Sequence, residues 1–483
     1  CYGMLLVYSG NFTIRAEVDQ MGQTRAVMGI NPEQFRFRLE AGESFETPQA
    51  ILGFSAEGFT KLSHRFHRMI SRHICRGKYK YARRPILINN WEATYFDFNE
   101  DKIMRIANQA AELGIEMLVL DDGWFGKRDT DTSGLGDWFV NRKKLPEGLE
   151  GLSEKIHALG MKFGLWFEPE MVSEDSDLYR NNPDWALRIP GRKPNRSRYQ
   201  LVLDMSRQDV RDYLFERMSD IISSAKIDYV KWDMNRSMSD IYSVNLPIER
   251  QGEMYHRCIL GVYELLERLT GAFPDLMIEG CSGGGGRFDA GMLYYSPQIW
   301  CSDDTDAIER LQIQHGTSFF YPIGTVGSHV SACPNHQTGR ITPFETRGVV
   351  AMAGSFGYEL DLNQIPDEEK ELVRAQVADY GKYYNLIHEG DYYRLNAPGD
   401  GTDFLAWAFV SEDKKQVLFN LVVTHVRANA KAMFVKLRGL DEGKMYRLED
   451  GRTLSASALM YAGLSIPALP GEYRSVQMEL VAQ

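Results

Sequence analysis

The sequence predicts an α/β protein built around a closed (β/α)8 barrel, with part of a β-domain in front of it and an antiparallel β-sandwich behind it. Three observations predict this. From Pro85 onward, short apolar runs alternate with helical runs. Eight such runs fit into roughly 250 residues, the usual size of a closed barrel. Polar and aromatic residues gather where those runs end, while the runs themselves stay apolar. An open doubly wound sheet is the competing fold, but no Gly-rich dinucleotide turn follows the first run.

Residues 1–57 alternate apolar and polar positions, as in Phe35-Arg36-Phe37-Arg38-Leu39, and read as the last strands of a β-domain. The chain opens at Cys1 inside such a pattern, so it is expected to begin within a domain whose front part precedes it. Residues 58–79 read as a basic linker helix, and residues 80–394 as the barrel. The eight expected barrel strands are 85–90, 116–121, 162–167, 200–204, 227–233, 276–280, 298–303 and 323–328. Helical runs at 100–113, 149–159, 208–225 and 252–269 separate several of them. Residues 395–483 return to short strands and turns, among them 404–409 and 417–423, and predict the C-terminal β-sandwich.

Bulk properties narrow the function. The chain has 483 residues, 43% hydrophobic and 25% charged, and a net charge of −11 with both signs interspersed. No basic patch or nucleic-acid motif is present, which argues against a polyanion partner. No apolar run reaches the ~18 residues of a membrane span. Six cysteines without a close CxxC pair predict free thiols and a reducing, cytoplasmic setting. The ten histidines show no HExxH spacing; His64, His67, His329 and His336 are expected in surface or core roles, and no metal site is predicted.

In a barrel of this kind the chemistry sits at the carboxyl ends of the strands. The expected ends carry Asn90-Trp91-Glu92, Asp121-Asp122, Trp166-Phe167-Glu168, Asp204, Lys231-Trp232-Asp233-Met234-Asn235, Cys281-Ser282-Gly283 and Asp303-Asp304. One Asp at a strand end is often only a helix cap; seven polar ends together are not explained that way. Lys231 and Asp233 are two apart on one strand and project to one side, so Lys231 is expected to keep Asp233 ionised, as a nucleophile requires. Cys301 and Asp303 are expected to share a side in the same manner. Asp303 would hold its proton because of the nearby charge of Asp233, although Asp304 and Asp306 compete with it as the acid. Asp121 and Asp122 need partners if buried: sugar hydroxyls, or a solvating loop. The glycine run 283–286 could cradle a phosphate or allow close approach to a neutral ligand.

Five ordered motifs together resemble glycoside hydrolase family 36, the microbial α-galactosidases. They are Leu120-Asp121-Asp122-Gly123-Trp124-Phe125, Trp166-Phe167-Glu168-Pro169-Glu170-Met171, Lys231-Trp232-Asp233-Met234-Asn235-Arg236, Cys281-Ser282-Gly283-Gly284-Gly285 and Ser302-Asp303-Asp304-Thr305-Asp306. The resemblance implies an N-terminal β-supersandwich, here only in part, before the barrel and the C-terminal sandwich. It implies a retaining enzyme without metal or cofactor, with Asp233 as nucleophile and Asp303 as acid/base. It assigns Asp121 and Asp122 to O4 and O6 of galactose, and Lys231, Arg198 and Asn235 to further hydroxyls. Cys281 and Gly283 would line the O2 side, and Trp91 and Trp166 would form apolar walls. The implied partner is a small α-1,6-galactoside such as melibiose or raffinose, and the implied assembly a homo-oligomer, tetrameric in full-length relatives. An α-N-acetylgalactosaminidase, a galactosyl-transferring enzyme and a non-catalytic galactoside-binding protein are the competing readings.

Overall fold

A computed structural model describes residues 1–429 and 431–483. Its centre is a closed barrel of eight parallel strands in sequence order: Leu87–Asn89, Met117–Leu120, Lys162–Phe167, Tyr229–Trp232, Met277–Gly280, Gln298–Trp300, Val326–Ser331 and Ser355–Glu359. Two expected strand positions are corrected. The run 200–204 is not in the barrel: Leu201–Val202 pairs antiparallel with Met171–Val172 in a two-stranded ladder above it. The eighth barrel strand is instead Ser355–Glu359, which pairs with Leu87–Asn89 to close the ring. Asp233 therefore follows the fourth barrel strand and Asp303 the sixth, not the fifth and seventh.

Strand alternation sorts the barrel residues into two populations. Leu87, Met117, Val119, Tyr229 and Met277 turn inward and pack together with Tyr79 as a plug inside the barrel. Ile88, Leu118, Leu120, Phe163, Leu165, Val230, Trp232, Ile278 and Ile299 have the opposite parity and join the large core shared with the surrounding helices. The inward series continues toward the carboxyl ends as Asn89, Asp121, Trp166, Lys231, Trp300 and Glu359, so the interior changes from apolar to polar along its axis. Gly164 keeps the inner layer closed, since a Cβ there would lie 2.9 Å from both Tyr229 and Val119.

The N-terminal residues form two antiparallel pairs, Tyr2–Val7 with Gln49–Phe54 and Phe12–Val18 with Thr24–Ile30. The second pair is largely exposed, with Phe12, Ile14 and Val18 facing solvent. The helix Gly58–Met69 connects this region to the barrel, with Leu62, Ser63, His64 and Phe66 buried. After the long helix Asp367–Glu389 the chain forms a six-stranded antiparallel sheet and a two-stranded one, Met433–Val435 with Leu464–Ile466, around a separate hydrophobic core.

Candidate active site

At the carboxyl end of the barrel lies a cavity of about 190 Å³. Trp91, Asp121, Asp122, Trp166, Arg198, Lys231, Asp233, Asn235 and Asp303 all line it, joined by Glu92, Thr305, His336, Gln337 and Glu359. A larger cleft of about 340 Å³ involves Arg84, Pro322–Thr325 and His388. Its barrel residues precede their strands, at the end of the fold where residues serve stability rather than chemistry.

Asp233 is 6% exposed and surrounded by donors. The Trp166 indole donates to Oδ2 at 3.2 Å and the Asn235 side chain to the same oxygen at 2.7 Å. The backbone N–H groups of Met234 and Gly283 donate to Oδ1 at 2.9 and 3.4 Å. Lys231 is not its direct partner. Its ammonium donates to Asp121 Oδ2 at 2.8 Å, and Asn89 donates to that same oxygen at 2.6 Å. Burial opposes the Lys231 charge, but Asp121 and other nearby acids hold its pKa well above the ordinary value. The expected role of Lys231 is thereby corrected: it first neutralises Asp121, the closer carboxylate.

Asp122, for which sugar hydroxyls or a solvating loop were the expected partners, has a protein partner as well. Arg128 grips both of its oxygens, at 3.0 and 2.9 Å. Burial pushes Asp122 upward, and Arg128 opposes that shift. Beneath Asp233, Glu168 accepts the Asn235 N–H at 2.5 Å and the Gln200 side chain at 2.6 Å. Burial first, and then the charge of Asp233, drive the Glu168 pKa up. Cys281 and Gly283 lie beside Asp233 rather than among the cavity-lining residues. Burial, reinforced by Asp233, raises the Cys281 thiol well above its usual range.

The sixth strand stops at Trp300, so the expected shared side of Cys301 and Asp303 does not arise. Cys301 turns outward against Arg310, and the following turn brings Asp303 back over the cavity. Trp300 Nε1 donates to Asp303 Oδ1 at 3.1 Å. Asp303 as a residue is exposed, yet protein crowded around its carboxyl disfavours the charge and raises its pKa, with Asp233 adding to the shift. Burial is thus the larger cause, ahead of the like charge expected from sequence. The neighbouring acids have other work. Asp304 accepts the Asp306 N–H at 3.0 Å, and Asp306 caps the helix Ala307–Thr317 through the Ile308 N–H at 2.8 Å.

The glycine run joins the two acidic loops. A Cβ on Gly284 would lie 2.6 Å from the Asp303 nitrogen and 2.8 Å from Ser302 Cα, and Gly284 has φ +81°. The close approach is to the neighbouring protein backbone, not to a phosphate or ligand. Arg198 reaches the cavity from an exposed turn where it and Tyr199 both adopt positive φ, at 52° and 59°. Sequence reasoning missed Glu359, Arg128 and the pocket places of His336 and Gln337. Glu359 closes a short aromatic run, a signal of the same kind as the other strand ends.

Three family models match the chain in order: Glycosyl hydrolase family 36 N-terminal domain over residues 1–40, Melibiase over 44–390 and Glycosyl hydrolase family 36 C-terminal domain over 405–480. The chain belongs to glycoside hydrolase family 36. It is 55% identical to the bifunctional alpha-galactosidase/sucrose kinase AgaSK of Mediterraneibacter gnavus over 99% of this chain and 50% of that protein. It is 51% identical to alpha-galactosidase AgaA of Geobacillus stearothermophilus over 100% of this chain and 66% of that protein. The chain therefore spans between half and two thirds of the length of these curated relatives. A crystal structure of a variant of that AgaA in complex with raffinose superposes with TM-score 0.98 at 50% identity, over 100% of this chain and 67% of the other.

Proposed function

We propose that this chain carries the catalytic machinery of a retaining exo-α-galactosidase acting on α-1,6-linked galactose in melibiose, raffinose and related oligosaccharides. The observation that carries this reading is the meeting of Asp233 and Asp303 in one small cavity whose other polar walls are Asp121, Asp122 and Lys231. The raffinose complex of the Geobacillus stearothermophilus relative supports the substrate class.

Asp233, its oxygens held by four donors, attacks the anomeric carbon while Asp303 delivers its proton to the departing glycosidic oxygen. A β-galactosyl ester forms on Asp233. Asp303, now ionised, takes a proton from water, which attacks the ester and releases α-galactose. Asp121 and Asp122 receive O4 and O6; Arg198, Lys231 and Asn235 hold further hydroxyls; Cys281 and Gly283 border O2; Trp91 and Trp166 flank the ring. A single small cavity suits one terminal sugar. Six free thiols support a cytoplasmic setting, and the assembly is proposed as a homo-oligomer.

Trapping with a 2-fluoro galactoside followed by peptide mapping tests the scheme. The label is expected on Asp233; a label on any other residue overturns it. A galactoside-bound crystal structure should show the two carboxyl groups about 5–5.5 Å apart, the spacing of retention.

A further inference from the structure

We propose that Trp300 is the positioning residue of Asp303, and that His329 and Glu359 hold Trp300 in place, so that the indole N–H occupies Oδ1 and the transferable proton resides on Oδ2. The inference rests on the acid/base role of Asp303.

Trp300 is 3% exposed and is the last residue of the sixth barrel strand. Its N–H lies 3.1 Å from Asp303 Oδ1. An indole N–H only donates, so that oxygen is engaged in either protonation state and the acid proton is left to Oδ2. Two side chains fix the indole: the Arg310 guanidinium carbon lies 4.3 Å from its ring centroid, and the His329 ring 4.4 Å. His329 is anchored by its Nδ1, 3.0 Å from Glu359 Oε2 on the neighbouring eighth strand. Its Nε2 is buried and has no hydrogen-bond partner among the described residues. An unsatisfied buried nitrogen is costly; its retention fits a ring kept for where it stands.

The backbone makes room for this stack. A Cβ on Gly357 would lie 2.7 Å from His329 Cδ2, and one on Gly327 would lie 3.3 Å from Trp300 Cε3. Two strands thus forgo side chains where the two rings sit. The charged groups that act most on Asp303 are Asp233 and Lys231 from the fourth strand, Glu359 from the eighth and Arg198 from the turn beyond the third, and Asp121, Asp122 and Asp131 share its cavity. Glu92 and His336 line the same cavity. Among the described residues, none of these hydrogen-bonds to Asp303, whereas Trp300 does.

The test is the alkaline limb of kcat/KM for raffinose, whose sugar leaving group needs the proton of the acid and so reports that acid in the free enzyme. Trp300→Phe keeps the aromatic plate and removes the N–H. The ionised carboxylate loses a donor, so the limb is expected to move to higher pH by about half a unit to one unit. His329→Ala leaves the N–H but frees the ring, and should move the limb the same way by less. It also carries the test should Trp300→Phe fail to fold. An unmoved limb in folded variants overturns the inference. In Asp303→Asn the limb should disappear; if it persists, the acid/base reading falls, and this inference with it.

Discussion

Asp233 and Asp303 follow barrel strands only two places apart, yet the fold treats them in opposite ways. Asp233 is buried and receives donors from two side chains and two backbone groups. Asp303 is exposed as a residue, yet its carboxyl is crowded by protein and has one hydrogen-bond donor among the described residues, an indole. Under the proposed mechanism, the same side chain thus serves as a fixed nucleophile in one place and a proton carrier in the other. The difference lies in donors and crowding rather than in residue type, the general means by which paired carboxylates divide acid and nucleophile roles.

Substitutions can break this comparison, starting with the largest effect. Asp233→Gly should abolish turnover, by at least about 10⁴-fold in kcat, as loss of a nucleophile does; circular dichroism should show the fold intact. Asp303→Asn should cost about 10²–10⁴-fold on raffinose, the span of general acid catalysis. The loss should be much smaller with p-nitrophenol as leaving group, which needs little protonation. Equal losses on both substrates would contradict the division of labour.

Two milder changes sharpen it. Gly284→Ala should push the Asp303 turn away from Asp233, because its Cβ would meet the Asp303 nitrogen at 2.6 Å. A displacement on the order of 1 Å can cost about 10²-fold in rate, measurable as kcat with KM little changed. The smallest effect is on stability. Burial raises Glu168 above its unfolded pKa, and Asp233 adds to this. A raised carboxyl contributes stability that is complete below its unfolded pKa and is lost as pH rises through the folded one. Melting temperature should therefore fall from mildly acidic toward mildly alkaline pH through this group, and Glu168→Gln should flatten that slope by a few degrees. An unchanged slope would remove Glu168 from the titration.

Much of this was legible in the sequence because barrel chemistry follows strand parity. Asp121, Trp166, Lys231 and Asp233 continue inward-facing series that can be read two residues at a time. Errors arose where parity carried no information. Residues 200–204 are as apolar as a barrel strand, but periodicity does not distinguish a buried ladder above the barrel from a strand within it. The eighth strand, Ser355-Phe356-Gly357-Tyr358-Glu359, has no β-branched residue and a glycine at its centre, so it carries little strand signal and Glu359 is not marked by it. Cys301 and Asp303 do not share a side because the strand ends at Trp300, three residues short of the acid. Arg128 reaches Asp122 from a loop, where no period exists to be read.

The contact between Gly284 and the Ser302–Asp303 backbone has a consequence for redesign. Main chain rests on main chain here, so the contact itself offers no side chain to be trimmed. Under the proposed mechanism, repacking the cavity walls can therefore alter the contacts to the sugar while this backbone contact stays in place. Under the proposed retaining mechanism, a change in the spacing of the two acids means moving the Ser302–Asp303 backbone, and Gly284 is a position from which a side chain would move it.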